Sequence, residues 1–266
     1  MTKGDLRVAF FMPLKHFLQL NRDQLWEPGL PAMAVCQAPN SLQVYRHRRQ
    51  ASSHRRSGQL LSSRIPQTRE MDLMHLHVVR HGETWANAEH RYLGALDPEL
   101  TERGREQAVS LSQKLPAGID ALIVSPRLRA QQTAQILNHA LNLDPVTMDC
   151  FRERDVGVFE GLTQAQAKAQ YPQLWAQNIT RQWAIGPTGG ESIAEVVNRV
   201  HQGVVELAAR YPSSTVLLVA HGFVAKVIRG LALGHFADFY DWQLPNGERL
   251  VLENFHPVAL PAGALL

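Results

Sequence analysis

Four residues of this chain are of the types that bind or attack a phosphoryl group, and each follows an apolar run. Arg80 and His81 come directly after one such run, and His221 ends another. Arg129 lies shortly after a third. The planar guanidinium of arginine matches phosphate oxygens and keeps its charge at any working pH, and a neutral histidine is a competent nucleophile toward phosphorus. The pattern predicts two histidines and at least one arginine in one phosphoryl-binding pocket.

The neighbours of the two histidines bear on their reactivity. Positive charge on Arg80 and Arg129 disfavours an imidazolium, so we expect His81 to be neutral. Gly82 and Gly222 follow the histidines, and we expect them to let the backbone approach a ligand closely. Taken singly, each signal also fits a structural histidine or a solvated arginine. The functional interpretation depends on their combination at three strand ends.

Strands and helices that alternate from Met74 onward must position these residues. Apolar, β-branched runs predict strands, and amphipathic runs predict helices, one of them with Thr101 as its N-cap. The predicted strands are 75–79, 121–125, 215–222 and 249–255, and the predicted helices are 100–115, 127–141, 191–211 and 224–233. The alternation predicts an α/β fold, a three-layer sandwich with a largely parallel central sheet and helices on both faces. Ligands of such sheets bind beyond the carboxyl ends of the strands.

Six motifs stand in a fixed order between residues 74 and 255. They are RHGET at 80–84 with Asn87, DPELTERGREQ at 97–107, SPRLRAQQTA at 125–134, FRERDVGVFEG at 151–161, GGES at 189–192 and VAHG at 219–222. In order and spacing they resemble the histidine phosphatase superfamily, also called the phosphoglycerate mutase-like family. The resemblance implies a phosphomonoesterase of the histidine acid phosphatase type, acting on a small phosphorylated metabolite through a phosphohistidine, without a cofactor or a metal.

The resemblance also implies a role for each matching position. His81 is then the nucleophile that becomes phosphohistidine. Arg80, Arg129 and His221 bind the transferred phosphoryl group and stabilise its transition state. Asn87 is a secondary phosphate contact.

Glu153 is the general acid that the resemblance implies, protonating the leaving oxygen. The residues themselves leave this role open, because a carboxylate between Arg152 and Arg154 also fits a surface ion pair. Flanking arginines lower the pKa of a carboxyl group, whereas a general acid near neutral pH needs a raised one.

The candidate lid, residues 162–190, bears on the choice between phosphatase and mutase. A mutase must rebind a second anionic group, which calls for extra basic residues, and this segment holds only Lys168 and Arg181. The long basic insertion of the mutase branch is missing, so the chain resembles the phosphatase branch. The lid ending WAIGPTGGES is similar to that of α-ribazole phosphatases. A mutase-type phosphoryl transfer and a non-catalytic phosphoryl-binding module are the alternatives, and the retained site residues argue against the latter.

Two tryptophans of the lid allow two interpretations. Trp175 and Trp183 could stack on a ring-bearing leaving group, or they could pack the lid against the body of the domain. The substrate is therefore open among α-ribazole phosphate, sugar phosphates, phosphoglycerates and nucleotides.

The first 73 residues differ in composition from the remainder. Residues 1–73 carry 11 Lys and Arg against 5 Asp and Glu, whereas residues 74–266 carry 16 against 19. The first segment lacks sustained periodicity, which is typical of a disordered extension or of sequence upstream of a mis-assigned start, with Met71 or Met74 as the natural start. A transit peptide or a basic arm for an anionic partner is the functional alternative. We predict the histidine phosphatase domain over residues 74–266.

Composition argues against several other classes of protein. Two cysteines, Cys36 and Cys150, are too few for a disulfide scaffold, and no Cys/His cluster has zinc spacing. We see no apolar run long enough for a membrane span and no clean secretory signal. The mildly acidic domain has no charge pattern typical of nucleic-acid binding. We therefore expect a cytoplasmic, metal-independent enzyme with no membrane or nucleic-acid partner; its oligomeric state is open.

Overall fold

The computed structural model of this chain describes residues 73–257. Residues 1–72, and with them most of the predicted extension, lie outside the described residues, as do residues 258–266. The strands are β1 Met74–Arg80, β2 Ala121–Val124, β3 Val146–Thr147, β4 Thr215–Ala220 and β5 Arg249–Phe255. The helices are α1 Trp85–Ala88, α2 Glu102–Ser112, α3 Leu128–Leu141, α4 Gln164–Gln170, α5 Pro172–Ala176, α6 Ile193–Arg210 and α7 Gly222–Leu233. Every predicted strand and helix is present, with ends within three residues of the prediction.

The five strands form one sheet in the order β3-β2-β4-β1-β5. Neighbouring strands pair in parallel from β3 to β1, and β5 runs antiparallel to β1. All four residues of β2 and five of the six residues of β4 are buried. Their nearly continuous apolar sequence follows from this burial, because parallel strands between two helix layers are covered on both faces. The predicted largely parallel sheet is confirmed.

The side chains of β4 show that helices cover both faces of the sheet. Alternate residues of a strand point to opposite faces. Leu217 and Val219 pack in a cluster with residues of α2 and α3, whereas Val216 and Leu218 pack in a cluster with residues of α6 and α7. The three-layer sandwich is confirmed.

Helix α6 illustrates how local sequence sets these layers. Its N-cap, Ser192, accepts from the backbone of Glu195, whose side chain in turn accepts from the backbone of Ser192. Val196, Val200 and Val204 follow at four-residue spacing, and all three are fully buried against the sheet layer. None of the helices between residues 73 and 257 has the length and apolar character of a membrane span.

The lid has a small hydrophobic core of its own. Ala167 of α4 and Ile179 of the turn Ile179–Arg181 are buried together with Val156 and Phe159 from the preceding segment. Gly157, which has a φ of +54°, lies so close to residues 188–190 that a side chain on it would collide with their backbone. The lid is therefore held on the segment that carries Glu153.

Candidate active site

The carboxyl ends of three neighbouring strands bring the predicted histidines together. The amide of His81, after β1, donates to the carbonyl of Ala220 at 3.0 Å, and the amide of Ser125, after β2, donates to that of Val219 at 3.0 Å. His221 follows β4 between them. The ring centroids of His81 and His221 are 5.2 Å apart, so the two imidazoles are direct neighbours.

The surroundings of His81 fix which ring nitrogen can react. Its Nδ1 is 2.7 Å from the carbonyl oxygen of Gly82, and a carbonyl only accepts, so Nδ1 carries the proton of a neutral ring. Nε2 then holds the lone pair. Burial, followed by the charges of Arg129 and Arg80, lowers the pKa of His81 well below its ordinary value. The lowered pKa favours the neutral ring that the sequence predicted, although burial is a larger cause than the arginines.

His221 is fully buried and is oriented by a hydroxyl group. Its Nε2 is 2.6 Å from Oγ of Ser125, and its Nδ1 has no hydrogen-bond partner within the described part of the chain. Burial, followed by the charges of Arg129 and His81, lowers the pKa of His221 well below its ordinary value. This leaves one buried nitrogen beside the ring of His81 available to a ligand.

Protein atoms fill the space beside both of the glycines that follow the histidines. A Cβ on Gly222 would come within 3.2 Å of Nε of Arg80, so this glycine makes room for the guanidinium. A Cβ on Gly82 would collide with the carbonyl of Gly104 in α2. Close approach to a ligand stays a prediction for both glycines, and these contacts within the fold are a second reason for a glycine at each position.

Two arginines near the histidines each have a buried nitrogen that makes no hydrogen bond within the described residues. Arg80 donates from Nη1 to the carbonyl of Leu244 at 2.8 Å. Arg129 is fully buried and donates from Nη1 to the carbonyl of Leu96 at 2.8 Å and from Nη2 to that of Gly94 at 3.0 Å. Nε of each arginine is buried without a partner among residues 73–257.

Glu153 is buried rather than part of a surface ion pair. Only 9% of it is exposed, and burial raises its pKa above the ordinary value against the opposing charges of Arg129 and Arg80. Neither flanking arginine forms an ion pair with Glu153: Arg152 pairs with two other carboxylates, and Arg154 donates to two carbonyl oxygens. The raised pKa therefore favours the protonated form that a general acid requires.

These residues open onto a cleft of about 280 Å³. Its lining consists of Arg80, His81, Asn87, Arg91, Tyr92, Leu93, Glu153, Arg154, Val156, Thr180, Gly222, Phe223, Lys226 and Gln243. The structure thus brings Arg80, His81, Asn87 and Glu153 to one surface. Arg129 and His221 do not line the cleft, because both are fully buried around the ring of His81.

Asn87 links the first helix to the histidine turn. Its Oδ1 accepts from the backbone and the hydroxyl of Thr84, at 3.1 and 3.0 Å, and from Nδ2 of Asn246 at 3.2 Å. Asn246 also donates to the carbonyl of His81 at 3.0 Å. The side-chain nitrogen of Asn87, Nδ2, is the group left to donate toward a ligand in the cleft.

Sequence reasoning missed several residues of the site. Thr133 accepts from the amide of Gly82 at 3.0 Å and donates to the carbonyl of Arg129 at 2.8 Å, a link that its i+4 spacing from Arg129 allows. Lys226 also lines the cleft, from α7, and sequence reasoning did not point to it. Asn246 lies in the loop after α7, outside every motif, and no sequence pattern pointed to it.

The lid residues that were open to two interpretations lie outside the cleft. Trp183 packs against the rings of Phe236 and Phe239, with centroids 5.1 and 5.6 Å away, and Trp175 packs on the lid core. Neither tryptophan lines the cleft, and nor do Lys168 and Arg181. The packing interpretation of both tryptophans is therefore the one the structure supports.

Carboxylates, imidazoles and thiols do not gather into a metal-binding group anywhere in residues 73–257: no three His, Cys, Asp or Glu residues lie in a suitable arrangement. Cys150 is a free thiol whose pKa burial raises to about 11. Metal independence itself stays a prediction.

Comparison with known proteins agrees with this geometry. The model of the histidine phosphatase superfamily, branch 1, matches residues 76–256. The chain belongs to the histidine phosphatase superfamily. The resemblance seen in the six motifs is thereby confirmed at the level of the family.

Curated members of the superfamily that match the chain include phosphatases and mutases. Phosphoserine phosphatase 1 of Hydrogenobacter thermophilus is 35% identical over 68% of this chain and 86% of its own length. A probable phosphoglycerate mutase, GpmB, of Cronobacter sakazakii is 32% identical over 61% of this chain and 76% of its own length. A bifunctional protein of Mycobacterium tuberculosis is 38% identical over 59% of this chain, which spans only 43% of that longer protein.

Solved structures of the superfamily have the same fold. Mycobacterial glucosyl-3-phosphoglycerate phosphatase, in complex with VO3, has a TM-score of 0.61 at 31% identity, covering 67% of this chain and 92% of its own. The α-ribazole phosphatase from Shigella flexneri has a TM-score of 0.62 at 23% identity, covering 72% of this chain and 97% of its own, and shows the fold alone.

Proposed function

We propose that the chain is a phosphomonoester hydrolase that passes the phosphoryl group of a small metabolite to His81 and then to water. One observation carries the proposal. Nε2 of a neutral, buried histidine has its lone pair free, and the neighbouring residues Arg80, Arg129 and His221 each have a buried nitrogen without a partner in the described chain. Unsatisfied buried polar groups are costly unless a ligand binds them, and a phosphoryl group at His81 supplies oxygens of the kind that such nitrogens bind.

The first step in this proposal is attack on phosphorus. Nε2 of His81 forms the P–N bond while the P–O bond to the leaving group breaks. The departing oxygen takes the proton of Glu153, which becomes a carboxylate. Arg80 and Arg129 offset the charge on the transferred phosphoryl oxygens as it develops.

The second step returns His81 to its neutral form. A water molecule attacks the phosphorus and gives its proton to the Glu153 carboxylate. The P–N bond breaks, its electron pair returns to Nε2, and inorganic phosphate leaves. Splitting one displacement into two easier ones is the advantage of a covalent intermediate.

Family membership supports the phosphatase, and one observation keeps the mutase as a second candidate. The basic residues that a mutase needs are scarce in the lid, but Arg154 and Lys226 line the cleft from other elements. The relatives that act on phosphoserine and glucosyl-3-phosphoglycerate, with α-ribazole phosphatases, define the substrates to screen. The non-catalytic module is the least supported alternative, since the nucleophile and the acid are both retained.

Trapping the intermediate tests the proposal. Brief incubation with a ³²P-labelled substrate and an alkaline quench should leave acid-labile label on the peptide containing His81, because a phosphoramidate survives alkali. His81→Ala should abolish both label and turnover. His221→Ala should slow turnover and leave any label on His81. Label on His221, or brisk turnover without an adduct, would overturn the mechanism, and label passed from one phosphoglycerate position to another would select the mutase.

A further inference from the structure

The two buried histidines of the site have hydrogen-bond partners of different kinds. Nδ1 of His81 faces a carbonyl oxygen, which only accepts, whereas Nε2 of His221 faces the hydroxyl group of Ser125, which can also donate. We propose that Ser125 is a positioning residue that keeps the proton of His221 on Nδ1, so that this nitrogen donates to the transferred phosphoryl group and cannot attack it. The inference rests on the proposed function for the purpose that this donor serves.

Ser125 is held at the end of β2 by its own backbone. Its amide donates to the carbonyl of Val219 in β4 at 3.0 Å, and its carbonyl accepts from Nε2 of Gln131 in α3 at 2.7 Å. The residue is fully buried. A strand and a helix therefore fix the backbone that carries Oγ, and this places the hydroxyl group against the ring of His221.

The hydrogen bonds of the Ser125 hydroxyl group determine where its proton lies. Oγ accepts from the amide of Arg127 at 3.3 Å, a bond that serine commonly makes with the backbone two residues on. Its other hydrogen-bond partner within residues 73–257 is Nε2 of His221, at 2.6 Å. A buried hydroxyl proton needs an acceptor, so Oγ donates to Nε2, which must then hold a lone pair. The proton of the neutral His221 ring is therefore on Nδ1.

The opposite tautomer of His221 would leave two groups in unfavourable positions. If Nε2 carried the proton, Oγ of Ser125 would accept it, and the hydroxyl proton would have no acceptor among the described residues. Nδ1, which is buried without a partner in the described chain, would then present a lone pair to the ligand. The anionic oxygens of a phosphoryl group are acceptors, so they repel a lone pair and match an N–H.

The two histidines are then the same tautomer but offer a ligand different nitrogens. His81 donates from Nδ1 to Gly82 and offers the lone pair of Nε2, whereas His221 accepts at Nε2 from Ser125 and offers the N–H of Nδ1. The ring centroids are only 5.2 Å apart, so this N–H lies close to the ring that would carry the phosphoryl group. The difference between the two partners gives a physical reason why His81, rather than His221, is the nucleophile.

NMR of the full chain labelled with ¹⁵N-histidine tests the inference without measuring activity. The chemical shift of an imidazole nitrogen shows whether it carries a proton or a lone pair, and the spectrum of His221→Gln assigns the resonances of His221. Above neutral pH and without substrate, we expect the proton of His221 on Nδ1 and a lone pair on Nε2. A proton on Nε2 of His221 would overturn the inference.

Ser125→Ala removes the donor to Nε2 and should change both the tautomer and the rate. We expect the proton of His221 to move at least partly to Nε2, and kcat to fall about 10- to 100-fold, the range for loss of one hydrogen bond to a charged group. KM should change less, because Arg80 and Arg129 still bind the phosphoryl group. Ser125→Thr keeps the hydroxyl group and should keep the tautomer and most of kcat. Ser112→Ala, which removes a hydroxyl group of α2 outside the cleft, is the control and should change neither.

The outcomes separate this inference from the proposed function. An unchanged tautomer or an unchanged kcat in Ser125→Ala would overturn the role of Ser125 while leaving a working phosphatase. A folded Ser125→Thr that behaves like Ser125→Ala would also count against it; if thermal unfolding shows that the added methyl group prevents folding, the spectra of the wild type and of Ser125→Ala decide. The expected tautomer in a protein that forms no phosphohistidine would instead overturn the proposed function.

Discussion

The reactivity of His81 depends on how firmly one carbonyl group is held. Nδ1 of His81 donates to the carbonyl of Gly82, so any rotation of that peptide would change which ring nitrogen carries the proton. The amide of Gly82 is bound to Thr133, and Asn246 donates to the carbonyl of His81. A helix and a distant loop therefore hold the turn in place, and neither contributes a group that reacts.

Glu153→Gln tests the proton transfer that the buried carboxyl is proposed to make. Loss of a general acid costs roughly 10²–10⁴-fold in rate, and the cost depends on how badly the leaving group needs a proton. We expect kcat to fall by about that factor for an alkyl phosphate and much less for p-nitrophenyl phosphate. Glu206→Gln, which changes an exposed carboxylate of α6 outside the cleft, is the control. Equal losses on both substrates would mean that Glu153 only positions the phosphate.

At the scale of elements, helix α2 supports the histidine turn by close backbone contact. Gly82 and Gly104 lie so close together that a Cβ on either would collide with backbone across the contact. The amide of Glu83 also donates to Gln107 of α2 at 2.8 Å. The turn after β1 is thus packed onto α2, which holds the turn in place.

Gly104→Ala should reverse the usual effect of this substitution in a helix. In an unhindered helix, alanine stabilises by roughly 0.5–1 kcal/mol relative to glycine. Here the new methyl group would collide with the carbonyl of Glu83, so we expect overpacking to destabilise the fold by about 1–3 kcal/mol and to lower kcat. Ser110→Ala, on the exposed face of α2, should change neither. Urea unfolding and steady-state kinetics measure both, and a more stable, fully active Gly104→Ala would refute the packing argument.

Some elements were predictable because their physical signals are local. The buried strands consist of continuous apolar residues, and the long helices have amphipathic sequences, with side-chain N-caps at Thr101 for α2 and Ser192 for α6. Strand β3 has only two residues, neither of them buried, and gave no such signal. The residues of the site divide in the same way. His81 and Arg129 follow parallel strands, whose carboxyl ends lie at one edge of the sheet, so their proximity was predictable. Asn246 contacts the histidine turn from a loop that is distant in sequence, and no local pattern indicates that contact.

At the scale of the whole molecule, deletion of the N-terminal segment should leave the enzyme intact, but the new start matters. The side chain of Met74 is 1% exposed and its backbone pairs with Phe255. A charged amino group there would lie beside the core, and burying it is costly. We expect a protein starting at Met71 to match the full chain in kcat and in thermal stability, and one starting at Met74 to be less stable. Aggregation or loss of most activity in the Met71 form would show that residues 1–70 pack on the domain.

The position of β1 within the sheet has a consequence for folding during synthesis on the ribosome. β1 carries Arg80 and His81, and it pairs with β4 and β5, which are among the last elements to be made. Val251 is the partner of His77 and follows it by 174 positions. At about 5–20 residues per second, roughly 9–35 s pass before that partner is synthesised. An apolar strand that stays unpaired for this long can associate with other chains before its neighbours are synthesised. We therefore expect the yield of expressed protein to depend strongly on the supply of chaperones, even if the folded protein is stable.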